Sequence, residues 1–170
     1  MKQVKLAFFF ILFFSLLSKN SLSNESIAIL DLDGLLEKTN SGKKIISKLN
    51  LINEQNLKSL KVIESQIKLN RDNINSQKNI LSNEQLNEKI KKLNNEIKQF
   101  QNKKNKLENN LNLQKKKKLD SFFQKIIPVI ENYISENNIK VFIDKKNIFI
   151  ANKKNNITEE IVKIINEKLE

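Results

Sequence analysis

The chain has 170 residues and carries 31 basic residues against 19 acidic ones, which gives a formal net charge of +12. It contains neither cysteine nor histidine, which excludes disulfides, thiolate metal sites and the nucleophiles or bases that these two residues supply. With only two glycines, no glycine-rich phosphate loop can be drawn. The sequence therefore predicts a protein that is not an enzyme, binds no nucleotide and needs no cofactor or metal.

Residues 1–23 have the pattern of a secretory signal peptide. Lys2 and Lys5 precede a short apolar run, residues 6–17, and the small residues Ser21 and Ser23 follow it. The alternative, a membrane anchor, is opposed by the length of the run, which falls well short of the ~20 residues that span a bilayer. We therefore expect export of the chain and cleavage after Ser23.

The chain that remains after cleavage is still strongly basic, with a formal charge of +9. Such a balance suits acidic partners, meaning anionic lipid, lipopolysaccharide or acidic polypeptides. The export signal disfavours nucleic acid as a partner. The aromatic content also disfavours it, because the exported part has no tryptophan and only five phenylalanines on which bases could stack.

Residues 26–32 form a short apolar run that ends at Asp33 and Gly34, as expected of a strand followed by a turn. With Asp31 and Asp33, this segment resembles the opening motif of haloacid-dehalogenase-type phosphatases, in which the first Asp is the nucleophile and the second a general acid. In that family a Thr follows the Gly, where this chain has Leu35. The long helical segment that comes next would replace the sheet on which such an enzyme depends. The competing role for both aspartates is turn formation and helix capping.

Residues 46–111 carry two apolar seams with the 3.5-residue spacing of helices that pack as a coiled coil. The first seam consists of Ile46, Leu49, Leu60, Ile63, Ile67, Ile74 and Leu81, with Asn53, Asn56, Asn70 and Gln77 at its remaining positions. The second seam consists of Leu86, Ile90, Leu93, Ile97, Phe100, Lys104, Leu107 and Leu111. The polar seam positions predict weaker pairing than in a leucine zipper, and hence flexible arms.

The two seams are mirror images about a point between residues 81 and 86, so we expect the chain to reverse there and form an antiparallel hairpin. Ser82 and Gln85 have the spacing of a capping box, which would start the second helix. The reversal predicts four facing pairs, namely Leu81 with Leu86, Ile74 with Leu93, Ile67 with Phe100 and Leu60 with Leu107.

Near the C-terminal end, residues 140–144 and 148–151 have the pattern of two strands that form a hairpin around a turn at 145–147. Pro128 is expected to kink or restart the helix that precedes them. Asn137 and Asn138 can end that helix in the left-handed conformation, and Thr158 is expected to cap a last helix.

The predicted fold class is α+β, with a small three-stranded β head and a long antiparallel helical hairpin. The head comprises residues 24–40 plus 125–170, and the hairpin arm comprises residues 41–124 with its tip near 81–86. So small a sheet exposes edges and apolar surface, for which oligomerisation is the usual remedy. The strand residues expected at the oligomer interface are Ile27, Ile29, Val141, Ile143, Ile148 and Ile150.

This order of elements, from signal peptide and strand through hairpin and two strands to a final helix, resembles that of the Skp/OmpH family of periplasmic chaperones. The resemblance is carried mainly by residues 27–31 at the first strand and by residues 141–144, 148–151 and 157–161 near the end. It implies a homotrimer in which the strands of three heads join into a small barrel. Three hairpins would then enclose a cavity that holds unfolded outer-membrane proteins.

The function predicted is that of an ATP-independent periplasmic holdase, which keeps unfolded outer-membrane proteins from aggregating. The alternative is an exported coiled-coil adaptor or an envelope structural protein, which would bind one partner by helix pairing. Basic side chains of the arms are expected to attract acidic clients as a diffuse field rather than as a defined site. These candidate client-binding residues are Lys103, Lys104, Lys106, Lys115, Lys116, Lys117 and Lys118.

Overall fold

A computed structural model of the protein describes residues 26–169, so the predicted signal peptide and its cleavage after Ser23 lie outside the described residues. The elements in chain order are strand β1 (Ser26–Leu30), helices α1 (Leu32–Lys38), α2 (Asn40–Gln77) and α3 (Asn83–Glu136), strand β2 (Ile139–Asp144) and helix α4 (Thr158–Lys168). Short 3₁₀ turns at Lys145–Asn147 and Lys153–Asn155 lie between β2 and α4. Helices α2 and α3 have 38 and 54 residues and extend about 57 Å and about 81 Å.

Strands β1 and β2 form a parallel two-stranded sheet, in which Ile29 pairs with Ile143. The predicted hairpin is therefore wrong within the single chain, and the described head has two strands instead of three. Residues 148–151 follow the 3₁₀ turn after β2 and form neither strand nor helix. Phe149 and Ile150 in this segment are 99% and 82% exposed. Within residues 26–169, little of the chain covers these two side chains.

The core of the head lies where β1, the C-terminal part of α3 and helix α4 meet. The sequence positions of the core residues follow from the elements that contain them. Side chains two residues apart on β1 point to one face, and side chains three or four residues apart on α4 form one stripe. The buried side chains of this cluster are Ala28, Leu30, Leu35, Phe122, Ile126, Ile130, Ile157, Ile161, Val162 and Ile165. Together they hold the base of the hairpin against the sheet.

A sharp corner joins α1 to α2 and directs the hairpin away from the head. The side-chain hydroxyl of Thr39 accepts a hydrogen bond from the Gly42 backbone N–H at 3.2 Å and so caps α2. The two helices approach so closely here that a Cβ on Gly42 would lie 2.0 Å from the carbonyl oxygen of Leu36. Only glycine fits at this position without movement of the backbone.

At the C-terminal end of α3, the prediction for Pro128 needs correction and the prediction for Asn138 is confirmed. Helix α3 continues through Pro128 to Glu136, so the prediction that Pro128 restarts the helix is wrong. The proline removes one backbone donor, while Ile126 and Ile130, both buried in the core, hold the neighbouring turns in place. Beyond the helix, Asn138 has a φ of 51°, which confirms the predicted left-handed position.

Thr158 was expected to cap α4, and this prediction is also wrong. Thr158 is the first residue of the helix, and the acceptor for its backbone N–H is the Oδ1 atom of Asn156, at 3.0 Å. The Thr158 hydroxyl instead accepts a hydrogen bond from the backbone N–H of Asp31 at 2.9 Å. The side chain therefore ties the end of β1 to the start of α4.

The predicted reversal of the chain is confirmed at the start of α3. The hydroxyl of Ser82 accepts from the Gln85 backbone N–H at 3.3 Å, and the side-chain oxygen of Gln85 accepts from the Ser82 backbone N–H at 3.2 Å. These two bonds complete the capping box that the sequence predicts.

Polar side chains of the seam on α2 form hydrogen bonds with side chains of α3. The side-chain amide of Asn70 donates to the Glu96 carboxylate at 2.8 Å, and the ammonium of Lys89 donates to the side-chain oxygen of Gln77 at 2.9 Å. A shift of one helix along the other would break both bonds. These polar pairs therefore fix the register of the arm, at some cost in stability compared with apolar pairs.

Candidate functional site

The head exposes a group of large apolar side chains. Apart from Phe149 and Ile150, these are Ile27, Ile127, Val141 and Phe142, with 44%, 47%, 42% and 37% of their surfaces exposed. Exposed apolar surface of this extent on a small head is typical of an interaction face. Three of these residues, Ile127, Phe142 and Phe149, were not among the predicted interface residues. Strand alternation assigns Phe142 and Phe149 to the face opposite to that of the predicted residues on either side of them, so it gave no signal for them.

The six predicted interface residues differ in how far their side chains are exposed. Ile27, Val141 and Ile150 are exposed, whereas Ile143 and Ile148 are half-buried. Ile29 is only 5% exposed, and the segment before α4 lies against it: Asn156 forms a backbone bridge with Ile29, and the Ile157 N–H donates to the Ile29 carbonyl oxygen at 2.9 Å.

Asp31 and Lys145 connect the ends of the two strands. Oδ1 of Asp31 accepts from the Gly34 backbone N–H at 2.8 Å and caps α1, as the capping hypothesis for this residue predicts. Oδ2 accepts from the Lys145 ammonium at 2.9 Å. The hydrogen bond from Lys145, and next that from Gly34, hold the pKa of Asp31 below its ordinary value of 3.8. Both carboxylate oxygens are thus engaged in structural contacts.

One face of the hairpin contains an apolar cavity between α2 and α3. Its volume is about 430 Å³. Phe100 and Ile67, a predicted facing pair, contribute to the same cavity, and Val62 on its rim is 71% exposed. Its lining residues are Val62, Ile63, Gln66, Ile67, Glu96, Gln99, Phe100 and Lys103.

A second, smaller cavity of about 140 Å³ follows on the same face, nearer the tip. Ile74 and Leu93, another predicted facing pair, both line it. Two ammonium groups and one carboxylate give this cavity a net positive charge. Its lining residues are Asn70, Asn73, Ile74, Lys89, Lys92, Leu93 and Glu96. We call the two cavities the apolar cavity and the lysine cavity, and together they form the furrow.

The two cavities of the furrow are adjacent, because Glu96 lines both. Along α3 the lining residues from Lys89 to Lys103 lie three, four or seven positions apart or next to such a position, which places them on one helix face. Sequence reasoning found the seam residues in the furrow but missed the positions that flank the seam, above all Val62, Lys89 and Lys92. The signal for them was their place one residue before or after a seam position.

The predicted client-binding lysines are spread along α3. Lys103 lines the apolar cavity, while Lys104 lies 3.9 Å from the carboxylate of Glu108. Lys106 is exposed. In the run of four lysines at 115–118, Lys115, Lys116 and Lys117 are exposed and Lys118 is half-buried.

Apolar side chains are exposed along both helices of the hairpin, outside the furrow as well as on its rim. Five of these side chains are more than 50% exposed, four on α2 and one on α3. These residues are Leu51, Leu57, Val62 and Leu69 on α2, and Leu113 on α3. A surface that mixes such side chains with lysines can contact unfolded chains of many sequences.

Two further properties bear on function. Between residues 26 and 169, the structure has no group of three or more acidic side chains that could hold a metal ion. Within the same range, no helix is both long enough and apolar enough to cross a membrane.

The fold and the exposed surfaces define a class of proteins with a small α/β head and a long antiparallel helical hairpin. The chain belongs to the OmpH-like family, because the family model for outer membrane protein (OmpH-like) matches residues 26–165. A crystal structure of a candidate outer membrane chaperone (OmpH-like) from Caulobacter crescentus CB15 is similar, with a TM-score of 0.74 and 16% sequence identity. The match covers 84% of this chain and 85% of that one, and at this identity it shows the fold alone. A comparison with curated protein sequences gives no significant match.

Proposed function

We propose that this protein is an ATP-independent periplasmic holdase, which binds unfolded outer-membrane proteins between its helical arms and prevents their aggregation. The observation that carries the proposal is the exposed apolar surface of the hairpin, where Val62 and Leu69 are 71% and 62% exposed beside lysine side chains. These side chains are exposed in the described chain, so this surface is open to a client. Membership of a family that includes a candidate outer membrane chaperone supports the proposal.

The head would assemble three copies of the chain. Phe149 and Ile150 are 99% and 82% exposed in a segment that has no partner strand within the described structure. Unpaired backbone with exposed apolar side chains is stabilised when a neighbouring copy pairs with it and covers those side chains. Three heads joined in this way would place three hairpins around one cavity, as the family resemblance implies.

Capture would be partly electrostatic. The chain without residues 1–23 has a formal charge of +9, and much of its positive charge lies on α3. Exposed lysines along that helix would act as a field that raises the rate of encounter with acidic clients. The same charge would permit contact with anionic lipid or lipopolysaccharide. Each contact is weak, and enclosure by several arms would supply the retention.

Export to the periplasm fits the proposal, because unfolded outer-membrane proteins cross that compartment. It is supported by the signal-peptide pattern of residues 1–23. The chain would need no nucleotide, which agrees with the lack of any sequence that could form a glycine-rich phosphate loop.

The test is to dilute a urea-unfolded outer-membrane barrel into buffer with the purified exported chain and to follow light scattering without nucleotide. We expect scattering to be suppressed for several barrels of unrelated sequence. Unchanged scattering for all of them would contradict the proposal. Binding restricted to one folded partner would favour the exported coiled-coil adaptor instead.

A further inference from the structure

The furrow on the hairpin combines two chemically different cavities at a fixed separation. The apolar cavity contains Phe100 and the exposed Val62, whereas the lysine cavity contains Lys89 and Lys92. Phe100 and Lys92 lie eight residues apart on α3, which corresponds to about 12 Å along the helix axis. A ligand that fills both cavities must therefore carry an apolar group and an anionic group about 12 Å apart.

An extended polypeptide meets this requirement at one spacing. Successive side chains of a strand point to opposite faces, so only residues separated by an even number of positions can enter the same furrow. At about 3.3 Å per residue, a separation of four residues spans about 13 Å, close to the distance between the cavities. Separations of two or six residues give about 7 Å and about 20 Å and fit less well.

Charge decides which end of the segment carries the acid. The Glu96 carboxylate lies between the cavities, and its Oε2 atom accepts from Asn70 at 2.8 Å. Glu96 lines both cavities and does not discriminate between them, whereas the lysine cavity has two ammonium groups and the apolar cavity has one, Lys103, so a carboxylate is favoured in the lysine cavity. At the tip side, Lys89 uses one of its three donors on Gln77. No hydrogen bond or ion pair with a residue of the described range engages Lys92.

We infer that the furrow binds an extended segment of an unfolded polypeptide in which a large apolar side chain and an Asp or Glu lie four residues apart. The apolar side chain enters the cavity at Phe100, and the carboxylate binds Lys92 and Lys89. The inference rests on the proposed function, since it names the segments of a client that this arm selects. It also gives the arm a spacing preference, which a diffuse field of lysines does not have.

The test uses the full exported chain and fluorescent nonapeptides built on a serine and threonine background. One peptide carries phenylalanine and aspartate four residues apart, and a second carries them three apart with the same composition. We expect the first to bind about threefold more tightly, a factor typical of one exposed charged contact. Equal affinity of the two peptides, measured by anisotropy, would overturn the inference.

A double-mutant cycle locates the carboxylate. Lys92→Gln should weaken binding of the aspartate peptide about threefold and leave binding of the corresponding asparagine peptide unchanged. Lys98→Gln is the matched control, because Lys98 is exposed on the same helix and does not line the furrow. Equal losses for both peptides, or equal effects of the two substitutions, would contradict the assignment of Lys92.

A second pair of variants tests the apolar end. Val62→Ser should weaken binding of the phenylalanine peptide, whereas Leu57→Ser, at a position 57% exposed and outside the furrow, should not. Light scattering with an unfolded barrel separates this inference from the proposed function. A chain that suppresses aggregation but shows no spacing preference overturns the furrow inference alone, and one that fails to suppress aggregation overturns the proposed function.

Discussion

The ammonium of Lys145 lies 2.9 Å from Oδ2 of Asp31, so the turn after β2 is bound to the residue that follows β1. The same Asp31 caps α1, from which the chain leads into the hairpin. This contact joins segments more than a hundred residues apart in sequence. It places the exposed segment after β2 in a defined position relative to the base of the arm.

The first prediction concerns this ion pair and pH. Because the pKa of Asp31 is lowered in the folded protein, the stabilisation is present above the ordinary value of 3.8 and is lost as the pH falls through the folded pKa. Asp31→Asn keeps a side chain that can cap a helix but removes the ion pair. We expect it to lower the free energy of unfolding at neutral pH by about 1 kcal/mol, with the difference from the unchanged protein shrinking below about pH 4.

Urea unfolding of the two proteins across a pH series measures this difference. Lys145→Met is the matching variant, and the double substitution should cost little more than either single one. Additive losses, or a difference that persists at pH 2, would show that the ion pair is not the source of the stabilisation.

The second prediction concerns Gly42, at the corner between α1 and α2. Gly42→Ala should destabilise the protein by about 3 kcal/mol, because its Cβ would lie 2.0 Å from a backbone oxygen. The neighbouring Ser41→Ala is the control, since the Ser41 hydroxyl is buried with no hydrogen-bond partner among the described residues. Its removal should be neutral or stabilising. Equal urea midpoints for the two variants would contradict the close approach of the helices.

The third prediction concerns assembly through the head. Ile150→Asp should convert the proposed trimer to monomer without loss of helix content, because the side chain is 82% exposed in the single chain. Ile143→Asp is a less selective test, since Ile143 is half-buried and lies beside Ile29 in the sheet. Leu113→Asp, at an arm position 52% exposed, is the control.

Sedimentation and circular dichroism measure the outcome of the third prediction. A trimer that survives Ile150→Asp but dissociates with Leu113→Asp would move the interface to the arms. An unmodified protein that sediments as a monomer would contradict assembly altogether.

The helical hairpin could be predicted from the sequence because its determinants are local. Seam spacing places Ile67 with Phe100 and Ile74 with Leu93, and the capping box of Ser82 marks the reversal. These signals depend only on residues within a few helical turns of one another. Two of the four predicted facing pairs therefore lie in common cavities in the structure.

The arrangement of the head could not be predicted in the same way. Pairing of β1 with β2 joins distant segments, and no periodicity specifies a parallel partner. Threonine often caps helices, yet the hydroxyl of Thr158 accepts a hydrogen bond from the Asp31 N–H instead. The furrow was missed because flanking residues such as Lys92 acquire their role only when two helices lie side by side.

The fourth prediction concerns the rate of client capture. Exposed charges are screened over about 8 Å at physiological salt, so higher ionic strength should slow the association of an acidic unfolded barrel more than it speeds release. Replacing Lys115, Lys116 and Lys117 by glutamine should reduce the association rate and its dependence on salt. Stopped-flow fluorescence measures both rates. Association rates independent of salt would contradict a field of lysines.

Native mass spectrometry measures directly whether three copies of this chain enclose one unfolded client without nucleotide, as we propose. Urea-unfolded outer-membrane barrels of unrelated sequence should each give a complex of three chains with one client, in the absence of ATP. Complexes with a single folded partner only, or clients bound to one or two chains, would contradict the account.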